Sequence, residues 1–212
     1  EYKGTHMSRF IEILSEWSQK PVSGREMGLI LSETVDRLNA QKAHLDIKFK
    51  YFIEKTAPVS GNKSLLDLNC TFSGQLVRGR HMDFILGLEV PFTSLCPCSK
   101  EISAYGAHNQ RGLMRVKIRY APNKFIWLED LAALMEAQAS SPVYPLLKRE
   151  DEKFVTEHAY ENPKFVEDVI RDLVLALRRQ EGVKWFKVAC ENYESIHNHS
   201  AYAGHVEFVD DQ

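Results

Sequence analysis

The spacing of apolar residues divides the chain into helical and extended segments. Amphipathic spacing predicts helices at residues 8–18, 23–40 and 127–139 and from 162 onward. Ser23 and Glu26 form a capping-box pattern at the start of the second helix, and Pro163 occupies a tolerated position at the start of the last. Period-two alternation predicts strands at residues 44–54, 65–76, 81–90, 113–120, 183–191 and 201–208.

These elements predict an α+β fold, with antiparallel sheet segments and helices packed on one face, because neighbouring strands follow one another through short connections. The second helix should bury an apolar stripe of Leu29, Ile30, Val35 and Leu38. The last helix should bury a second stripe, formed by Phe165, Val166, Val169, Ile170, Leu173 and Leu177. Segment 142–153 is densely charged, which is typical of a solvated loop.

Composition narrows the class of protein. The chain has 212 residues, 44% of them hydrophobic, enough for one large domain or two small ones. A formal net charge of -2 argues against a general nucleic-acid binder but allows a local basic pocket. No apolar run approaches the ~20 residues that span a bilayer, and no signal peptide is visible. The 4 cysteines are too few for a disulfide scaffold, so we expect reduced thiols in a cytoplasmic protein.

Candidate metal ligands follow the third predicted strand, in segments 91–100 and 106–112. Cys96, Cys98 and His108 offer thiolate and imidazole, the ligands that zinc and related divalent metals prefer. These groups are too few to close a structural site of four ligands, so they indicate an open, catalytic site that is completed from elsewhere in the chain. The alternative for either cysteine is a small buried apolar side chain.

Segment 142–153 also has a functional interpretation. One of its carboxylates would complete the metal site, and spacing leaves Glu150, Asp151 and Glu152 open. Lys148 and Arg149 would meet an anionic group.

Two further regions carry candidate groups. Glu167, one turn into the long helix, is favoured there by the helix dipole, and its carboxylate could also pair with the ring edge of a guanine-like base. The segment 190–202 is rich in polar residues between two strands, which suggests the rim of a site. His197 and His199 would point the same way in an extended segment, and either suits a proton shuttle near neutral pH.

Together these motifs resemble the type IB GTP cyclohydrolases, metal-dependent bacterial enzymes that open the pterin branch of folate synthesis. The resemblance covers nearly the whole chain and rests on the segments Lys3–Phe10, Ser94–Lys100, Gly106–Arg111, Pro142–Arg149, Glu161–Asp168 and Glu194–His199. Members of that family usually carry a further N-terminal segment. The resemblance therefore implies that Glu1 is not the native start and that Gly4–Met7 is native.

The resemblance implies the tunnelling fold, with antiparallel sheets, helices on the outer face, and barrels completed across subunits. Residues 1–212 would form a single cyclohydrolase chain of two tunnelling-fold-like halves, about 1–121 and 122–212. It implies a cytoplasmic homotetramer with active sites at subunit interfaces and no nucleic-acid or membrane partner. The reaction would convert GTP and water to 7,8-dihydroneopterin triphosphate and formate, the first step of folate biosynthesis.

Site residues follow from the resemblance at matching positions. The ligands of a divalent metal (zinc, manganese or iron) would be Cys96, His108 and Glu152, with water in the fourth position. Cys98 is the alternative thiolate and a catalytic candidate. The candidate proton donors for ring opening and formate loss are His197 and His199. Glu167 would anchor the purine ring, and the triphosphate would bind Lys100, Arg111, Lys148 and Arg149.

Two other functions stay open at this level. A nitrile reductase that acts on a deazapurine has the same fold, requires NADPH and uses a cysteine as covalent nucleophile, without need of His108 and Glu152. A non-catalytic zinc module would close a structural site around Cys96, Cys98 and His108. The cyclohydrolase would depend on a metal and the reductase would not. Removal of the metal would unfold the zinc module, whereas an open catalytic site would lose activity and keep most of its structure.

Overall fold

The computed structural model describes residues 7–121 and 124–209. The expectations about Glu1 and about residues 4–6 of the segment Gly4–Met7 therefore lie outside the described residues. Within these ranges the helices are α1 (Met7–Trp17), α2 (Gly24–Arg37), α3 (Pro97–Ile102), α4 (Leu128–Glu136), α5 (Arg149–Glu161) and α6 (Val166–Arg179). The strands are β1 (Lys42–Thr56), β2 (Lys63–Val77), β3 (Asp83–Leu95), β4 (Asn109–Tyr120), β5 (Ser141–Pro142), β6 (Val183–Asn192) and β7 (Ala201–Phe208).

The strands form one sheet in the order β1-β2-β3-β4-β6-β7, with β5 paired to β3. β4 runs antiparallel to β6, with Gly112 opposite Asn192 and Met114 opposite Cys190. β6 runs antiparallel to β7, which forms an edge of the sheet. These elements confirm the predicted α+β class and the antiparallel strands. No helix among the described residues is long and apolar enough to cross a membrane.

Packing divides the chain into two compact units, the first of which comprises Glu1–Lys48 and Thr71–Leu86. In this unit α1 packs against α2, and Ile13, Met27 and Leu31 are buried. The predicted capping box at the start of α2 is present. Gly74 of β2 allows α2 to approach, because a Cβ atom there would lie 2.8 Å from Leu31 Cδ1.

The second unit, Phe49–Cys70 with Gly87–Gln212, contains all the candidate site residues. One face of β4 is buried through Met114, Val116 and Ile118, as the alternation predicts. The helix α6 packs on β6 and β7 and buries most of its predicted stripe. Most of the candidate site residues thus lie on the helices α3, α5 and α6 and in the connections between elements, and Arg111 lies on β4.

Several local predictions were wrong. The segment 142–153 was predicted as a loop, but α5 begins within it at Arg149. The short helix α3 was not predicted. Two residues of the predicted buried stripes are exposed: Leu29 at 49%, and Phe165, the N-cap residue of α6, at 40%. The division near residue 121 into two tunnelling-fold-like halves stays a prediction, since the compact units reflect packing and not internal similarity.

Candidate functional site

Cys96 and Cys98 occupy different environments, although one residue separates them. β3 ends at Leu95, and Cys96 is the N-cap residue of α3, where its sulfur accepts a hydrogen bond from the Ser99 amide at 3.5 Å. Pro97 follows at the first turn of the helix, where a missing N–H costs nothing. Both cysteines are free thiols, with Cys96 half-buried and Cys98 exposed. The sulfur of Cys96 is therefore held in place by the first turn of α3, whereas Cys98 presents an exposed side chain on that helix.

His108 lies beside Cys96, as the metal-site hypothesis requires. The amide of Cys96 donates to the carbonyl of His108 at 3.1 Å. The amide of His108 in turn donates to the Ser99 hydroxyl at 3.1 Å. Two of the three predicted ligands are thus adjacent through their backbones.

The imidazole of His108 is held by buried polar residues that no sequence motif indicates. Its Nδ1 lies 2.9 Å from Oε1 of Gln110, which is buried. Nε2 of Gln110 is 3.5 Å from Ser94 Oγ, and Nδ2 of Asn192 is 3.0 Å from the same oxygen. The signal for these residues is a polar side chain at an inward position of an apolar strand. Since Nδ1 of His108 is occupied, Nε2 is the nitrogen available to a metal ion, which fits the proposed donor set.

Of the three carboxylates in segment 142–153, one is buried and hydrogen-bonded within the protein, and two are exposed. Asp151 is buried and accepts hydrogen bonds from Val59 N at 2.9 Å, Ser60 N at 2.8 Å and Ser60 Oγ at 2.6 Å. It also accepts one from Lys148 N at 2.8 Å, which caps α5. Glu150 and Glu152 are exposed in the first turn of α5. Among the three acids left open by the sequence, Asp151 is therefore a structural residue.

The third predicted metal ligand is not brought to the other two within one chain. Over residues 7–121 and 124–209, no three His, Cys, Asp or Glu side chains gather closely enough to hold one ion. Lys100 of α3 contacts Tyr160, near the end of α5, whereas Glu152 lies in the first turn of that helix. The eight residues from Glu152 to Tyr160 span about 12 Å along a helix. The role of Glu152 as a metal ligand therefore stays a prediction.

The predicted phosphate-binding cations fall into two groups. Lys100 donates to the Tyr160 carbonyl and lies 4.3 Å from the centroid of the Tyr160 ring. Arg111 is exposed on β4, three residues after His108. Lys148 and Arg149 are exposed at the start of α5. The first group therefore accompanies the cysteines, and the second accompanies Glu152.

Glu167 is exposed in the first turn of α6, but it does not cap the helix, since Asp168 makes the capping contact. It opens onto a groove of about 400 Å³ between α6 and β7, lined also by Ile170, Arg171, Val174, Ala203 and His205. Burial raises the pKa of the Cys190 thiol to about 12. The positive charge of Arg115 opposes this rise, and the negative charge of Glu167 adds to it.

His197 and His199 lie in the loop that follows β6. Their rings stack with centroids 5.0 Å apart and an interplanar angle of 20°, and both are exposed. At the start of the loop, the Tyr193 amide donates to the Arg111 carbonyl at 2.9 Å. This contact places the beginning of the loop beside the first residues of β4, which follow His108.

Comparison with known proteins identifies close relatives over almost the whole chain. A family model described as type I GTP cyclohydrolase FolE2 matches residues 1–203. The chain is 58% identical over 202 residues to the GTP cyclohydrolase FolE2 of Geobacter sulfurreducens, covering 95% of this chain and 76% of that protein. It is 57% identical over 202 residues to the GTP cyclohydrolase FolE2 of Citrifermentans bemidjiense, covering 95% and 74%. For the Syntrophobacter fumaroxidans protein of the same name, identity is 53% over 203 residues, covering 96% and 78%.

Solved structures with a similar fold are distant in sequence. The uricase from Arthrobacter globiformis superimposes with a TM-score of 0.52 at 7% identity, over 95% of this chain and 76% of that chain. A hyperthermostable mutant of Bacillus sp. TB-90 urate oxidase gives a TM-score of 0.51 at 13% identity, over 95% and 76%. At these identities the likeness concerns the fold alone. It confirms the tunnelling fold for this chain.

Proposed function

The chain belongs to the type I GTP cyclohydrolase FolE2 family, and we propose from this that it hydrolyses GTP to 7,8-dihydroneopterin triphosphate and formate, the first step of folate biosynthesis. The observation that carries the proposal is the family match over residues 1–203. The relatives at 53% to 58% identity are all named GTP cyclohydrolase FolE2, which favours this function over the nitrile reductase and the structural zinc module. The finer subtype, type IB, is part of the proposal.

The proposal includes a divalent metal held by Cys96, His108 and Glu152. The adjacency of Cys96 and His108 supports it, as does the free Nε2 of His108. When held there, such a cation would lower the pKa of a water molecule from ~16 toward ~7, and this chemistry would supply hydroxide for attack at guanine C8. Sulfur, nitrogen and oxygen donors together suit zinc and also admit manganese or iron.

Substrate binding is assigned to the groove and to the two groups of cations. The Glu167 carboxylate is exposed and is not used as a helix cap, so both oxygens can accept hydrogen bonds from the N–H and amino group of guanine. The triphosphate would be bound by four cations. Lys100 and Lys148 would act as compact positive charges, and Arg111 and Arg149 would each donate two parallel hydrogen bonds to a phosphate. One N–H of Lys100 donates to the Tyr160 carbonyl, which leaves its other two N–H groups for a phosphate.

Proton transfer is assigned to exposed groups near the end of β6 and on α3. His197 and His199 are exposed and adjacent, and an imidazole exchanges protons near neutral pH. Cys98 is exposed two residues after Cys96 and is proposed as a further catalytic group. Ring opening and formate loss both need such donors.

The proposed assembly is a homotetramer with active sites at subunit interfaces and barrels completed across subunits. Its support is the separation, within one chain, of the group around Glu152 from the group around Cys96 and His108. A neighbouring subunit can supply the missing group when subunits repeat by symmetry. A cytoplasmic location belongs to the same proposal, because GTP is an intracellular nucleotide and the site needs reduced thiols.

The test is GTP turnover by metal-stripped protein, before and after addition of zinc or manganese, with formate and dihydroneopterin as products. We expect metal to restore turnover in the wild type. Cys96→Ala and Cys98→Ala form a matched pair: Cys96→Ala should lose metal binding, whereas Cys98→Ala should keep metal binding and turn over more slowly. Folded, tetrameric protein without turnover under any metal would rule the proposal out. NADPH consumption with a deazapurine nitrile would then support the reductase.

A further inference from the structure

A chain of hydrogen bonds runs from the imidazole of His108 into the protein and ends at a main-chain carbonyl. The first contact joins His108 Nδ1 to Gln110 Oε1 at 2.9 Å, and the second joins Gln110 Nε2 to Ser94 Oγ at 3.5 Å. Ser94 Oγ then lies 3.1 Å from the carbonyl oxygen of Lys164. Gln110 is 7% exposed and Ser94 is fully buried, so solvent does not compete for these groups.

The last contact determines the direction of all the others. A carbonyl oxygen only accepts, so the single proton of the Ser94 hydroxyl points at Lys164. The lone pairs of Ser94 are then left to accept N–H groups, one from Gln110 and one from Asn192 at 3.0 Å. Gln110 therefore directs its amino group at Ser94 and its carbonyl at His108, which must donate from Nδ1.

The neighbouring strands hold this arrangement in place. Asn192, which fills the second lone pair of Ser94, is 2% exposed at the end of β6. Gly112 of β4 lies opposite Asn192, and a Cβ atom there would come within 2.7 Å of Asn192 Oδ1 and 2.4 Å of the Phe92 ring. A glycine at position 112 is thus needed for Asn192 to reach Ser94.

We infer that Gln110 is a positioning residue that, through Ser94 and the Lys164 carbonyl, holds His108 in the tautomer with its proton on Nδ1 and presents Nε2 to a divalent metal ion. The role toward the metal rests on the proposed function, whereas the tautomer is a property of the metal-free chain. A histidine orientated in this way binds metal more tightly, because ring rotation and tautomer exchange no longer compete with coordination.

The first experiment reads the tautomer directly, by nitrogen-15 NMR of the imidazole in metal-free protein at about pH 8, where imidazole is neutral. We expect the Nδ1–H tautomer in the wild type. In Ser94→Ala the Gln110 amide is no longer held in one direction, and in Gln110→Leu the acceptor is lost, so both variants should shift His108 toward Nε2–H. A wild-type His108 protonated on Nε2 would overturn the inference.

The second experiment titrates cobalt(II) alone into metal-free protein and follows its visible absorption. Gln110→Leu should weaken cobalt binding by about 10- to 100-fold. Gln110→Glu should restore most of the affinity, because a carboxylate also accepts from Nδ1–H. The control is Gln138→Leu, which removes a glutamine amide that donates to the Leu134 carbonyl of α4, and should bind cobalt as the wild type does.

Two results of the titration would overturn the positioning role: wild-type affinity in Gln110→Leu, or no cobalt binding by the wild type. Ser94→Ala serves in place of Gln110→Leu if the leucine variant does not fold. Failure of GTP turnover is a separate outcome. It would remove the proposed function, while an Nδ1–H tautomer that depends on Gln110 would still support the inference.

Discussion

Asp151 illustrates how a single buried residue determines the local structure near the site. Burial alone would raise the pKa of Asp151, but hydrogen bonds from Ser60, Lys148 and Val59 outweigh it and hold the pKa well below its usual range. Asparagine has only one acceptor oxygen, so Asp151→Asn leaves buried donors without a partner. We expect the melting temperature to fall by several degrees, as measured by circular dichroism.

The matched control for Asp151→Asn is Glu161→Gln, which makes the same charge change at an exposed position of α5. It should shift the melting temperature by no more than about 2 °C. Equal melting temperatures in Asp151→Asn and the wild type would show that the buried hydrogen bonds do not stabilise the fold.

The sequence predicted which residues belong to the candidate site better than it predicted their hydrogen-bond partners. The sequence identified Cys96 and His108 because their side chains are typical metal ligands, and their adjacency follows from the backbone contact across the connection that contains α3. Asp151 could not be distinguished from its acidic neighbours, because its partner Val59 is 92 residues away in the chain. The role of Gln110 likewise depends on a contact across strands that no spacing reveals.

At the scale of elements, the edge strand β7 is joined to α6 by hydrogen bonds to one carboxylate, that of Glu207. Glu207 accepts from Arg178 Nε at 2.8 Å and Nη2 at 2.9 Å, and lies 2.8 Å from His205 Nε2. Arg178, and then His205, lower the pKa of Glu207 to about 2. We expect Glu207→Gln to speed amide hydrogen exchange in β7 while β4 keeps its protection, because the strand loses its attachment to the helix.

The pH dependence of this effect follows from the sign of the shift. The folded pKa lies below the unfolded value of about 4.3, so the stabilisation is fully present above about pH 4.3 and is lost as the pH falls through the folded value. The difference in stability between the wild type and Glu207→Gln should therefore shrink on acidification. Glu161→Gln is the control, since it makes the same change of side chain at an exposed position at the end of α5. A difference that stays constant with pH would contradict the assignment.

Strands were easier to predict than short or highly charged helices. Period-two alternation identified β1, β2, β4, β6 and β7 within a few residues, because one face of each strand is more buried than the other. The helix α5 has no such face: it buries only Asp151 and Ala159, so its charges resemble those of a loop. The helix α3 is 6 residues long and too short to show a period.

At the scale of the whole molecule, the candidate site residues form two groups, and over residues 7–121 and 124–209 no three His, Cys, Asp or Glu side chains come together to hold one ion. Cys96, His108 and Arg111 lie where β3 ends and β4 begins, whereas Lys148 and Glu152 lie at the start of α5. Each group holds part of what the proposed GTP hydrolysis needs: the first has the proposed thiolate and imidazole ligands, and the second has the proposed carboxylate ligand and a further cation. A shared site between subunits is the arrangement that would unite them.

Mixing two inactive variants tests this arrangement. Cys96→Ala and Glu152→Ala should each abolish turnover, because each removes one proposed ligand. If a site takes Cys96 from one subunit and Glu152 from its neighbour, random reassembly of equal amounts leaves about one quarter of the sites with both ligands. Turnover should therefore return to about a quarter of the wild-type value after joint unfolding and refolding, and not after simple mixing of stable tetramers. If both ligands belong to one chain, no mixed tetramer contains an intact site, and reassembly restores nothing.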